Sequence, residues 1–176
     1  MSHPSQSAVE STSARGAEVQ SELIASGKET FVQNYRQQPM VLDRGEGCEV
    51  WDLEGNRYLD LLGGIATSAL GHRHPEAVAA AHAQIDKLWH TSNIYWNQPS
   101  IELAAQLTEA SGLDRVFFCN SGGEANEAML KLSRKVLKDR GQPERYEVIA
   151  FEQSFHGRTL ATTAATGQPK YQQGYE

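Results

Sequence analysis

Residues 115–128 read Arg115-Val116-Phe117-Phe118-Cys119-Asn120-Ser121-Gly122-Gly123-Glu124-Ala125-Asn126-Glu127-Ala128. A short run that is apolar at successive positions predicts a strand buried on both faces, as in a parallel sheet. Asn120-Ser121-Gly122-Gly123 predicts a tight turn. Beyond it Ala125, Ala128/Met129, Leu132 and Val136 fall at helical spacing, so a helix is predicted over Glu124 to Asp139 and stopped by Gly141-Gln142-Pro143. Glu147-Val148-Ile149-Ala150-Phe151 predicts the next strand. Strand, helix, strand is an α/β unit, with parallel strands and a right-handed crossover. Open α/β sheets bind ligands beyond the carboxyl ends of their strands. Here those ends lead into residues 120–123 and 152–158.

Upstream the texture is different. Met40-Val41-Leu42, Cys48 to Leu53 and Tyr58 to Leu62 read as strands. Glu54-Gly55-Asn56 supplies turn chemistry, so a small antiparallel meander is expected. Gly63-Gly64 breaks regularity. Pro75 opens a helix running from Glu76 to Trp89, and a second runs from Pro99 or Ser100 to about Ala110, ended by Ser111-Gly112. Residues 1–25 are polar and lack the apolar core of a secretory signal; a disordered tail is expected there.

The chain has 176 residues and 22 acidic against 16 basic side chains, a formal charge of −6. That balance argues against a nucleic-acid binder, which needs a basic face. No apolar run approaches the roughly 20 residues of a membrane helix. The length suits a domain able to bury roughly 70% of its unfolded surface. Two cysteines, Cys48 and Cys119, lack disulfide-framework or metal spacing and are expected to be buried small residues in a reducing compartment.

Three segments could carry chemistry. Ser121-Gly122-Gly123 sits where a strand enters a helix. Its glycines permit close backbone approach, and the unsatisfied N–H groups favour a phosphate; the alternative is an ordinary capped turn. Glu124 and Glu127 are expected to face away from any phosphate there. Phe155 could stack on a planar group, His156 could orient one, and Arg158 could grip a carboxylate with its two-pronged guanidinium. The alternative is a core phenylalanine and a solvated arginine. His72-Arg73-His74 lacks a third ligand at useful spacing and reads as a loop before a helix, so no metal site is expected.

Taken together, Trp51 to Asp60, Gly63 to Ala66, Leu70 to Pro75, Trp89 to Asn93, Phe117 to Ala128 and Phe155 to Thr159 resemble the class III pyridoxal-phosphate-dependent aminotransferases, in order and at close to their spacing. Within that family the resemblance is strongest to the acetylornithine and ornithine type. It implies a fold-type I α/β architecture. Residues 26–75 would be the antiparallel segment of the small domain, and 76–176 the start of the large cofactor-binding domain. It implies that Ser121, Gly122 and Gly123 hold the cofactor phosphate and that Phe155 and His156 lie at the pyridine ring. Arg158 would bind the substrate carboxylate, while Ile65, Asn93 and Tyr95 line the substrate channel. It also implies amino-acid and 2-oxo-acid substrates, a cytoplasmic homodimer, and no nucleic-acid or membrane partner. Where the family usually has Thr, Ala or Ser, this chain has Gly123.

The lysine that forms a Schiff base with the cofactor, and the acidic partner of the ring nitrogen, lie in this family beyond the portion matched. The lysines here are Lys28, Lys87, Lys131, Lys135, Lys138 and Lys170, none at the family's position. The expectation is therefore an N-terminal portion of such an enzyme, inactive alone. The rival is a non-catalytic phosphate-binding or interaction module.

Overall fold

The computed structural model describes residues 6–175, with side chains from Arg15 onward. It divides into two units, one up to Ser92 and one from Asn93. The helix opened by Pro75 continues directly from a loop anchored on the first unit's sheet, and it stays with that unit.

In the first unit, helix α1 (Gln6–Thr30) precedes strands β1 (Leu42–Glu46), β2 (Glu49–Asp52) and β3 (Arg57–Leu59). The expected meander is present as an antiparallel sheet in the order β1-β2-β3, with Gly45 opposite Val50 and Val50 opposite Tyr58. The expected polar tail is corrected from Gln6 onward; Met1 to Ser5 lie outside the described residues. Two contacts explain the helix. Gly16 packs on the backbone of Leu53 and Glu54, where a Cβ would collide. The Gln20 side chain, buried, donates to Glu54 Oε1 at 2.6 Å and accepts from the Val41 N–H at 2.7 Å. Tertiary contact thus orders a segment whose composition alone favours disorder.

Asp52 builds the β2–β3 turn. Its Oδ1 accepts from the N–H of Glu54 (3.0 Å) and Asn56 (2.8 Å), and its Oδ2 from Asn56 Nδ2 (3.0 Å) and the Tyr58 hydroxyl (2.8 Å). Burial pushes its carboxyl upward, but these hydrogen bonds outweigh burial and hold it below the ordinary range. Asp60 ties the sheet to the loop between β3 and α3. Its Oδ1 accepts from the Leu62 (3.0 Å) and Gly63 (2.9 Å) N–H groups, and its Oδ2 from His72 Nε2 at 2.7 Å. Gly47 and His72 exchange both backbone hydrogen bonds, at 2.9 and 2.7 Å. Between these anchors, α2 (Gly63–Ala66) is a left-handed turn, with φ of 53°, 62°, 58° and 62° at its four residues. Helix α3 (Pro75–Lys87) comes next, with Pro75 in its first turn.

The second unit holds α4 (Gln98–Ser111), α5 (Gly122–Asp139), α6 (Leu160–Ala165) and α7 (Pro169–Gln172). Asn97 caps α4 by accepting from the Ser100 N–H, and left-handed Gly112 ends it. The two predicted strands are corrected: residues 115–119 and 147–151 carry no ladder with each other. A strand is defined by its neighbour. Here the sole pairing nearby, among the described residues, is a parallel bridge between Glu152 and Gly167.

The expected core is also corrected. Val50 is the one large apolar residue buried among the described residues, while Phe117 (71%), Phe151 (81%) and Ile149 (92%) are exposed. The accessible surface is 15350 Å², where a folded monomer of this length exposes roughly 8,500 Å². Both cysteines, expected to be buried, are exposed and unpaired.

The fold yields a pH prediction. The His72 hydrogen bond, then the Gly63 and Leu62 N–H groups, holds the Asp60 carboxyl below its ordinary value. Its stabilisation is therefore complete above the unfolded value, about 4, and is lost as pH falls through the lower folded value. The urea midpoint of the meander should fall between about pH 5 and pH 2. Asp60→Asn should flatten that slope; an unchanged slope in the variant contradicts the assignment.

Candidate active site

The site in the second unit is built on the first turn of α5. Ser121, in an extended conformation, caps the helix by accepting from the Glu124 N–H at 3.2 Å. The N–H groups of Gly122 and Gly123 find no acceptor among the described residues, as the start of a helix requires. The space over Gly122 is open: a Cβ there would meet nothing within 4 Å. Glu124 turns back, its carboxylate accepting from the Asn120 N–H (2.6 Å) and Nδ2 (3.0 Å) rather than from the two glycines. Glu127 faces the α6 cap and accepts from Thr159 Oγ1 at 2.5 Å.

The segment after Phe151 folds onto this turn. Gly157, with φ 137°, lies so close to Gly123 that a Cβ on it would stand 2.9 Å from the Gly123 Cα and 2.7 Å from Thr162 Oγ1. The His156 carbonyl accepts from Asn126 Nδ2 at 2.6 Å, and its N–H donates to Thr166 Oγ1 at 3.0 Å. Thr162 and Thr166 are fully buried. Thr159 caps α6 reciprocally with Thr162. Sequence reasoning found Ser121, Gly122, Gly123, Phe155, His156 and Arg158. It missed Asn126, Thr162 and Thr166, because an amide or hydroxyl meeting a distant backbone group leaves no periodic signal.

Phe155 is half exposed, with its ring edge-on to Tyr171 at 5.9 Å. The Arg158 guanidinium stands 5.7 Å from the Phe155 ring and 5.0 Å from that of Tyr171. Tyr171 lies in α7, opened by Pro169. Asn93 and Tyr95 lie in the turn before α4 and carry no hydrogen bond to Ser121, Phe155 or His156 among the described residues. Ile65 belongs to the first unit, in its left-handed turn. No group of three potential metal ligands occurs among the described residues, and no described helix is long and apolar enough to cross a membrane.

A family model described as Aminotransferase class-III matches residues 30–176. The chain belongs to the class III aminotransferases. It is 68% identical over 154 residues to an acetylornithine aminotransferase of Myxococcus xanthus, covering 88% of this chain and 38% of that one. Among solved structures it resembles a Bacillus anthracis aminotransferase (TM-score 0.84, 35% identity, 90% of this chain and 36% of that). It also resembles an ornithine aminotransferase of Toxoplasma gondii described with partial occupancy of PLP at its active site (TM-score 0.80, 28% identity, 89% and 37%). The chain thus spans less than two-fifths of the length of these relatives.

The cofactor of this family is pyridoxal phosphate, and the residues present fit it. Two N–H groups without acceptors and open space over Gly122 suit a phosphate. The His156 Nδ1 is buried without a partner, as expected of a group reserved for a ligand.

Two substitutions separate cradle from scaffold. Gly157→Ala should destabilise the unit by roughly 1–3 kcal/mol, through a collision and a positive φ that glycine alone tolerates. Gly122→Ala, at the first helical position with room for its methyl, should leave stability unchanged or raise it by up to about 1 kcal/mol, yet weaken phosphate binding by filling the open space. Urea titration and phosphate calorimetry check both; equal destabilisation would remove Gly122 from the cradle.

Proposed function

We propose that the protein carrying these residues is an aminotransferase moving the amino group of N-acetylornithine, or a similar ω-amine, to 2-oxoglutarate, as arginine biosynthesis requires. The reading rests on 68% identity to an acetylornithine aminotransferase across 88% of the chain. The site geometry supports it. Ser121, Gly122 and Gly123 hold the phosphate through the cap hydroxyl and two backbone N–H groups. Phe155 presents a half-exposed ring to the pyridine, and His156 Nδ1 meets a ring substituent. Arg158 binds the substrate carboxylate, its charge placed by the faces of Phe155 and Tyr171. Ile65, Asn93 and Tyr95 line the path of the substrate, in part from the second subunit of a cytoplasmic homodimer.

Bound pyridoxal phosphate supplies the electron sink for amino-group transfer. The reading assigns the lysine and the acidic partner of the ring nitrogen to sequence beyond these 176 residues. The chain alone should therefore neither turn over N-acetylornithine nor fix cofactor at one particular lysine after borohydride, beyond scattered adducts on surface lysines. Joined after Glu176 to the remaining length of the Myxococcus xanthus relative, it should transfer nitrogen from N-acetylornithine to 2-oxoglutarate faster than from ornithine or 4-aminobutyrate. A borohydride-fixed adduct at a single lysine of the chain alone, or preference for another donor in the chimera, would overturn the reading.

A further inference from the structure

We propose that Asn126, with Glu127 beside it, is a positioning residue that sets Phe155 and His156 at a fixed distance from the Ser121–Gly123 turn; the inference rests on the cofactor reading above. Residues three and four apart share a helix face. Asn126 is three residues beyond Gly123 and four beyond Gly122, so its amide lies beneath the two N–H groups of the cradle. From there Nδ2 donates to the His156 carbonyl at 2.6 Å. One residue on, the Glu127 carboxylate takes the Thr159 hydroxyl. The two bonds bracket Gly157, the residue whose backbone rests on Gly123.

Residues 154–157 belong to no helix or strand, so few contacts fix them. Thr166 and Gln168 hold the segment to the chain just beyond α6: Thr166 Oγ1 accepts from the His156 N–H, and Gln168 Nε2 donates to the Ser154 carbonyl at 3.2 Å. Asn126 and Glu127 instead connect it to the helix that carries the cradle. Asn126 needs an amide for this. A carbonyl demands a donor, and a carboxylate of the same shape would repel it.

A cofactor contacts both halves, the cradle through its phosphate and the 155–156 pair through its ring. Inorganic phosphate contacts the cradle alone. The test titrates the chimera described above, freed of cofactor, with 4′-deoxypyridoxine 5′-phosphate, whose missing aldehyde prevents reaction with lysines, and with inorganic phosphate, by calorimetry. In Asn126→Leu the dissociation constant of the first should rise about tenfold and that of phosphate by less than about twofold. Asn126→Gln, which keeps the donor, should recover part of the loss. Far-UV circular dichroism reports whether the helices persist. If Asn126→Leu unfolds, the isosteric non-donor Asn126→Asp carries the comparison. Parallel weakening of both ligands, unfolding of both variants, or no change would each reduce Asn126 to a structural residue and overturn the proposal. A chimera with Asn126 intact that binds neither ligand overturns the cofactor reading, and this inference with it.

Discussion

Gly157 can lie against Gly123 because Gly157 carries no Cβ, and the second unit is organised around that approach. Any side chain on Gly157 would meet Thr162 and the start of α5. Once the backbones touch, the neighbouring polar groups must find partners at short range. Thr166 receives the His156 N–H, Thr162 serves the α6 cap, and Asn126 and Glu127 reach across from α5. Each such bond contributes about 0.5–1.5 kcal/mol net. With little buried apolar surface, a satisfied polar network beneath two glycines carries the local order.

The first unit uses the same device for a different end. A Cβ on Gly71 would stand 2.8 Å from the Gly47 carbonyl, and one on Gly45 would enter the His72 ring. Glycine at these positions brings His72 down onto the sheet, where it meets Asp60. Asp60 in turn fixes the N–H groups that open the left-handed turn. Left-handed backbone costs roughly 1–2 kcal/mol at each non-glycine residue, and Ile65 and Ala66 both adopt it. Ile65 also exposes 80% of its surface. A β-branched residue held in a strained conformation and left in solvent contributes little to this unit's own stability. Strain of that kind concentrates at ligand-contacting positions, which supports Ile65 as a residue of the substrate path.

Legibility in the sequence was confined to local features. The meander could be read because Glu54-Gly55-Asn56 writes turn chemistry between two apolar runs, although the part Asp52 plays in that turn could not. The helices over 75–87, 98–111 and 122–139 could be read from spacing, Pro75 and Gly112. The capped turn at Ser121 could be read because a cap serine and two glycines are contiguous. Helix α1 was not legible, since its order depends on Gln20 meeting Glu54 and Val41 far along the chain. Asn126 was not legible either: its role exists only once His156, 30 residues away, is folded against it. Strand pairing failed for the same reason, because a ladder is a property of two segments and the sequence displays one at a time.

The unpaired segments carry the last step. In 115–119, Val116 and Phe118 point to one side of a would-be strand and Phe117 and Cys119 to the other; in 147–151, Val148 and Ala150 oppose Ile149 and Phe151. Both sides are apolar, the pattern of strands covered on both faces. Yet Phe117, Ile149 and Phe151 are largely exposed, and at about 25 cal/mol per Å² their burial is worth kilocalories left unrealised. The relatives are more than twice as long as this chain. A ladder between or beside these segments, with helices over both faces, would bury that surface. It would also stiffen the strand ends from which Asn120 and Glu152 lead into the cradle and the 154–159 segment. Such a sheet would stand behind Ser121 and His156, and on the proposed reading a site that holds a cofactor at both ends would gain rigidity from it as well as from Asn126.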